Sequence, residues 1–352
     1  MSVSRSLIES YVRLWQESNP GGFPPEVPGR MQKIPLMLKG KKFGSMIVLN
    51  ERIVIRIKGS PLLGEGSFKK VESIVGIKLV GPEKSIQIAY NQIVFVHEKW
   101  GEDFPHKIMD GEMRTAIGLH PHVAPMTKEY TYRTRKWPFK QCYFMDRGLK
   151  SLTQVQTTEM QFYKFASHML RGIGHFHTVG YLHGDIKLEN FLVFQDKNGE
   201  FIVKVIDLDD AAPTGGKVRE GTQTLDFISI EHRVELMSKY GWSTTAEGRD
   251  FYNEYGRYRQ FFQTINTETS SMGFVLADFY YIQRKHLHSA EKKEALFQLI
   301  GELTGGFAPK PEDLNWEGFV TRVDTYLRSV PYVAPDERIS LVEAAERLEG
   351  LI

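Results

Sequence analysis

The stretch Tyr181-Leu-His-Gly-Asp-Ile-Lys-Leu-Glu-Asn-Phe-Leu-Val193, with Val205-Ile-Asp-Leu-Asp209 behind it, decides how this chain is read. It follows a segment of helical periodicity, Met160 to His177, and an apolar run leads from it to the second aspartate. Phosphoryl transfer asks little covalent chemistry of a protein. It needs a carboxylate to orient a hydroxyl and oxygens that hold Mg²⁺ on the phosphates. Asp185 is the candidate for the first task and Asn190 and Asp207 for the second, while Lys187 can neutralise charge on the group in transfer.

Outward from this stretch the pattern changes character. From Met46 to Val96, runs such as Arg52-Ile-Val-Ile-Arg-Ile and Ser85-Ile-Gln-Ile-Ala, punctuated by Gly and Pro, predict antiparallel strands. After Thr157 the periodicity is helical, in Met160 to His177, Met272 to Lys285, Lys292 to Leu303 and Leu341 to Leu351. Leu7, Ile8, Tyr11 and Trp15 predict a short amphipathic helix packed on the main body. The layout is therefore α+β: an N-terminal extension (1–45), a β-rich part (46–145) and a helical part (146–352). With 45 basic and 43 acidic residues and a net charge of +2, no global field favours nucleic acid or an anionic membrane. One cysteine, Cys142, excludes an internal disulfide and a multi-cysteine zinc site, and no apolar run suits a membrane span. A soluble intracellular protein is the expectation.

His183 to Asn190 with Asp207 resembles the eukaryotic-type protein-kinase family, whose loop reads H-R-D-L-K-x-x-N and whose metal aspartate opens D-F-G. The resemblance implies a bilobal kinase-like fold, ATP and Mg²⁺ as cofactors, and a Ser/Thr protein as substrate. Two positions depart from it. Gly184 replaces the arginine that meets an activation-segment phosphate, and Asp209 stands where the D-F-G glycine belongs. The spelling H-G-D also resembles aminoglycoside and choline kinases, which phosphorylate small molecules. Gly221-Thr222 with Ser229-Ile230-Glu231, and Arg338 in Pro335-Asp-Glu-Arg-Ile-Ser, resemble instead the protein-kinase substrate lobe, with Arg338 a candidate partner of Glu231. A repurposed nucleotidyl transferase and a pseudokinase scaffold are the other classes carried forward.

Leu63-Gly-Glu-Gly-Ser-Phe-Lys-Lys-Val resembles the family's Gly-rich loop, with Gly64 and Gly66 bringing backbone amides to phosphate and Val71 over the nucleotide. Val75-Gly-Ile-Lys mimics the V-A-I-K motif, yet Lys78 lies only 12 residues after Gly66, where the family commonly has roughly twenty. A hairpin of Phe68–Val80 with Ser85–Phe95 around Gly81-Pro-Glu-Lys puts Ala89 at the adenine roof and Asn91, not a lysine, at the phosphate position. Lys69 shares a face with Val71 and can replace that lysine, as in the with-no-lysine kinases. Lys78, and the absence of any functional lysine, remain the alternatives. Glu112 takes the place of the family's helix-C glutamate, and the backbone of Asp146 and Arg147 that of the adenine hinge. An insertion at about 232–268, with Tyr240, Tyr252, Tyr255 and Tyr258, is a candidate docking segment for a substrate or partner.

Overall fold

In a computed structural model of the chain, the described residues are 5–18, 32–49, 52–57, 62–65, 69–80, 85–98, 111–118, 120–124, 130–132, 140–215, 229, 264–283, 289–314 and 337–352. The architecture is α+β, built from antiparallel sheets and helices. The chain divides into two compact units, one of residues 1–105 and 125–147, the other of residues 106–124 and 148–352.

In the first unit, helix α1 (Arg5–Ser18) buries Ile8 and Val12 and sets the Tyr11 ring 5.6 Å from Phe43. The strands are β1 (Gln32–Leu38), β2 (Lys41–Leu49), β3 (Arg52–Ile57), β4 (Leu62–Glu65), β5 (Lys69–Val80), β6 (Ser85–Glu98), β7 (Tyr130–Tyr132) and β8 (Lys140–Asp146). They form one sheet in the order β1-β2-β3-β5-β6-β8-β7, with β4 also on β5. The sheet thus reaches back through residues 32–49, across the 45/46 boundary expected from composition.

The predicted hairpin forms, with Val80 opposite Ser85 at one end and Lys69 opposite Glu98 at the other. One of its consequences does not follow. The register shifts between Ile74, opposite Ile93, and Val75, opposite Tyr90, so Asn91 and Gln92 oppose no residue of β5. Such a bulge interrupts the period-two count that ran from Ala89 to Asn91. Val71 faces Gly64 on one side and Val96 on the other, whereas Ala89 faces Gly76. Val71 and Ala89, both expected at the nucleotide, stand five residues of β5 apart, roughly 17 Å along the strand.

The second unit holds α2 (Gly111–Gly118), α3 (Glu159–Thr178), α4 (Ile265–Gln283), α5 (Ala290–Thr304) and α6 (Leu341–Glu349). Thr158 and Gln161 close a capping box at the start of α3. Phe162, Phe165, Ala166, Met169, Leu170, Ile173 and Phe176 then line its buried face at three- and four-residue spacing. Helix α4 is buried nearly all round as a core helix, with a polar first half and Met272, Phe274, Val275, Leu276 and Phe279 inaccessible in its second. Strand β11 (Phe191–Gln195) pairs with β12 (Phe201–Val205) and with β9 (Lys150–Ser151), and β10 (Tyr181–Leu182) pairs with β13 (Ala212–Pro213). Gly172 permits a close approach of α3 to β12, since a Cβ there would lie 2.5 Å from Val205 Cγ2. Among the described residues no helix is long and apolar enough to cross a membrane.

Candidate functional site

Residues 183 to 190 leave β10 and enter β11, and short hydrogen bonds hold them in place. The buried His183 ring accepts from the Asp185 N–H at Nδ1, 3.3 Å away, so its other nitrogen, Nε2, donates to the Ile206 carbonyl at 3.0 Å. The ring thus ties the loop to the residue before Asp207. Asp185 is buried, and its carboxylate accepts from Lys187 Nζ. Asn190 Nδ2 donates to the Asp185 carbonyl at 2.8 Å and to Asp185 Oδ2 at 3.3 Å. The backbone closes the unit, with Asn190 N–H on Lys187 O and Ile206 N–H on Asn190 O. Asp185, Lys187 and Asn190 are brought together as one hydrogen-bonded set.

Burial alone would lower the Lys187 ammonium. The Asp185 charge and hydrogen bond, followed by the charges of Asp207 and Glu189, outweigh it and hold the group above the ordinary lysine range. Lys187 is therefore a permanent cation beside two carboxylates. Asp207 follows β12 in the left-handed region (φ 62, ψ 63), a conformation that costs a non-glycine residue of order 1–3 kcal/mol and marks places where geometry is over-determined.

The donor chemistry fits Mg²⁺. Asn190 commits its NH₂ to Asp185, which leaves its carbonyl oxygen as the coordinating atom, and Asp207 adds a carboxylate. Mg²⁺ is commonly held by one or two protein oxygens and completed by phosphate and water. Among the described residues no three His, Cys, Asp or Glu side chains converge as a metal cage.

Gly184 has φ +90°, and a Cβ there would lie 2.3 Å from the Asp210 carbonyl oxygen. No side chain fits, so the family arginine is excluded by the local backbone and not merely absent. A residue that the sequence reading missed holds the same loop. Glu268, in the first turn of α4, is 1% exposed and accepts from Gly184 N–H at 2.7 Å and His183 N–H at 3.2 Å. His177 Nε2 lies 3.0 Å from the same carboxylate. Burying a carboxylate costs several kcal/mol unless its oxygens are met by donors, and here three groups meet them. The sequence offered little signal, since Glu268 stands among Asn266, Thr267, Thr269, Ser270 and Ser271 in a polar opening to the helix.

The remaining candidates are placed only by element. Lys69 opens β5 opposite Glu98, and Lys78 lies opposite Arg52 and Gln87, seven residues beyond Val71. Glu112 is exposed in the first turn of α2, Asp146 ends β8 and Arg147 follows it. Gly66, Glu231 and residues 232–263 of the expected insertion, with its four tyrosines, lie outside the described residues. Arg338 is described, with Nη1 donating to the Asn266 carbonyl at 3.1 Å. No protein-family model matches the chain, and no curated protein matches it.

Proposed function

We propose that this chain is a Mg²⁺- and ATP-dependent phosphotransferase on a bilobal protein-kinase-like fold, moving the γ-phosphoryl group to a Ser or Thr hydroxyl of a protein. The reading rests on one observation: Asp185, Lys187 and Asn190 form a single hydrogen-bonded set, tied through His183 and Ile206 to a left-handed Asp207. Asp185 orients the acceptor hydroxyl and takes its proton as the oxygen bonds to the γ-phosphorus, while the bond from that phosphorus to the bridging oxygen breaks and ADP leaves. Lys187 holds positive charge against the phosphoryl oxygens in transfer. Asn190 and Asp207 are the residues that would hold Mg²⁺, which when bound neutralises phosphate charge. Glu268 holds the loop through the backbone of His183 and Gly184, so the hydroxyl-orienting carboxylate is pre-positioned.

For the nucleotide, Gly64 and Val71 are the residues we assign to phosphate and base. Their support is that they are cross-strand partners. The Gly66 amide, Lys69, Glu112 and the Asp146–Arg147 backbone complete the assignment from the family resemblance.

The test is ATP labelled at the γ or the α position, offered with protein and with small-molecule acceptors. Label from γ-phosphate appears on protein Ser or Thr, and Asp185→Ala lowers the rate by about 10²–10⁴-fold. Transfer of α-label, or γ-label found only on a small molecule, overturns the protein-kinase assignment. Full γ-transfer by Asp185→Ala overturns the mechanism.

A further inference from the structure

Beside β12, four imidazoles stand in a row. His175 stacks on His120 with ring centres 4.6 Å apart, His120 tilts against His122 at 5.4 Å, and His122 stacks on His168 at 4.1 Å. They join three elements. His175 Nε2 donates to the Ala116 carbonyl of α2, while His122 Nδ1 donates to the Val203 carbonyl of β12 at 3.1 Å. The Val203 N–H donates in turn to His168 Nδ1 at 3.2 Å, and the His122 N–H donates to His120 Nδ1 at 3.3 Å. Beside the rings, the main chain of 122–124 runs along the outer edge of β12. Val205 N–H bonds His122 O, and Ala124 N–H bonds Val205 O, both at 2.9 Å. Asp207 follows two residues later.

His120 and His168 each use the Nδ1 lone pair to accept a backbone N–H. An imidazolium has no such lone pair, so protonation at Nδ1 destroys the bond. The charges around the row oppose a second cation. Arg171 and Lys164 face it from α3 and Lys204 from β12, while Glu349, from α6, is the compensating carboxylate and is itself engaged by Arg171 and Ser167, with Glu346 near the same arginine. We propose that this row is an acid-operated latch: proton uptake in mild acid at His120 and His168 breaks the turn within residues 120–122 and the bond that holds α3 to Val203, and with both supports gone residues 120–124 loosen from the outer edge of β12, the strand that leads to Asp207.

The direction follows from linkage. Burial first, then the neighbouring imidazoles and cations, lower His120 to about 4 and His168 to about 3, and His122 is lowered as well. An unlatched histidine titrates near 6.5. The opened form therefore binds more protons over the range from about 6.5 down to about 4, and stability falls with pH through that window. Each such histidine raises the opening equilibrium by up to about tenfold per pH unit.

The experiment compares the full chain with His120→Asn/His168→Asn, in which the amide oxygen replaces each Nδ1 as acceptor but does not titrate. Urea midpoints are measured from pH 7.5 to 5. The wild-type midpoint falls with pH and that of the double variant falls less, by the contribution of two protons. Equal slopes overturn the latch. If the double variant does not fold, ring-proton NMR of the wild type decides. His120 and His168 remain neutral in the folded chain at pH 6, and an imidazolium signal from either at that pH overturns the proposal. Amide exchange of Ala124 and Val205, corrected for intrinsic rate, speeds up between pH 7 and 5.5 if the latch opens there, and unchanged protection counts against it.

Discussion

The Asp185 loop and the β4–β5–β6 hairpin differ in how far apart their partners lie along the chain. In the loop, the bonds that Asp185 makes join residues two to five apart, Asp185 to His183, Lys187 and Asn190. In the hairpin, pairing runs from Val80 with Ser85 to Lys69 with Glu98, 29 positions away, and a shift between Ile74 and Val75 displaces every pair beyond it. A hydrogen-bonded set of near neighbours keeps its internal geometry wherever the rest of the fold anchors it, whereas a long register accumulates any irregularity. The largest test of this difference is the choice of lysine. Lys69→Met lowers phosphoryl transfer by about 10²–10³-fold, as removal of one charge-stabilising group commonly does. Lys78→Met leaves it within a few fold, because Lys78 stands seven residues from Val71, roughly 23 Å along the strand. The reverse result in steady-state kinetics would mean that the hairpin is used in another register.

The same contrast explains what was legible in the sequence. The α+β layout, the four helical segments and the hairpin around Gly81-Pro-Glu-Lys followed from periodicity and turn residues, which are local signals. The linked set of Asp185, Lys187 and Asn190 was legible because its residues are nearly contiguous. The count from Ala89, which lies opposite Gly76 as the turn implies, broke at Asn91 because two unopposed residues in β6 leave no mark on an alternating apolar pattern. Glu268 lies 84 residues from Gly184, and only the fold brings its carboxylate to that N–H. The histidine row is assembled the same way, from His120 and His122 before α3 and His168 and His175 within it.

Gly184 sharpens the local side of the comparison. Gly184→Ala must fail sterically, since φ +90° and a 2.3 Å approach to the Asp210 carbonyl oxygen leave no room for Cβ. The expected loss is about 3 kcal/mol in denaturant unfolding, combining left-handed strain with a backbone clash. Gly184→Arg, which introduces the arginine of the protein-kinase motif that the loop resembles, is destabilised at least as much. A gain of stability or of phosphate-dependent activation in Gly184→Arg would show that the loop rearranges to admit a side chain.

Distance along the chain is not energy, and Glu349 separates the two. It accepts from Arg171 Nε and Nη2, 178 residues away, and from Ser167 Oγ, all at 2.6 Å, so its geometry is as good as any in the Asp185 loop. Yet its side chain is 39% exposed, and solvent screening holds such pairs to about 1 kcal/mol or less. The Arg171 hydrogen bond, against the opposing effect of burial, lowers its carboxyl from 4.5 to about 2. A carboxylate depressed on folding stabilises above its unfolded pKa and loses that contribution as pH falls towards the folded one. Glu349→Gln is therefore less stable than the wild type by about 1 kcal/mol or less at pH 7. The gap narrows only below about pH 4.5 and closes near 2. The histidine row loses its contribution between about 6.5 and 4. Urea midpoints of the two sets of variants across pH 7.5 to 3 thus diverge from the wild type in different windows. A Glu349→Gln gap that closed between pH 7 and 5 would instead place the carboxylate within the latch.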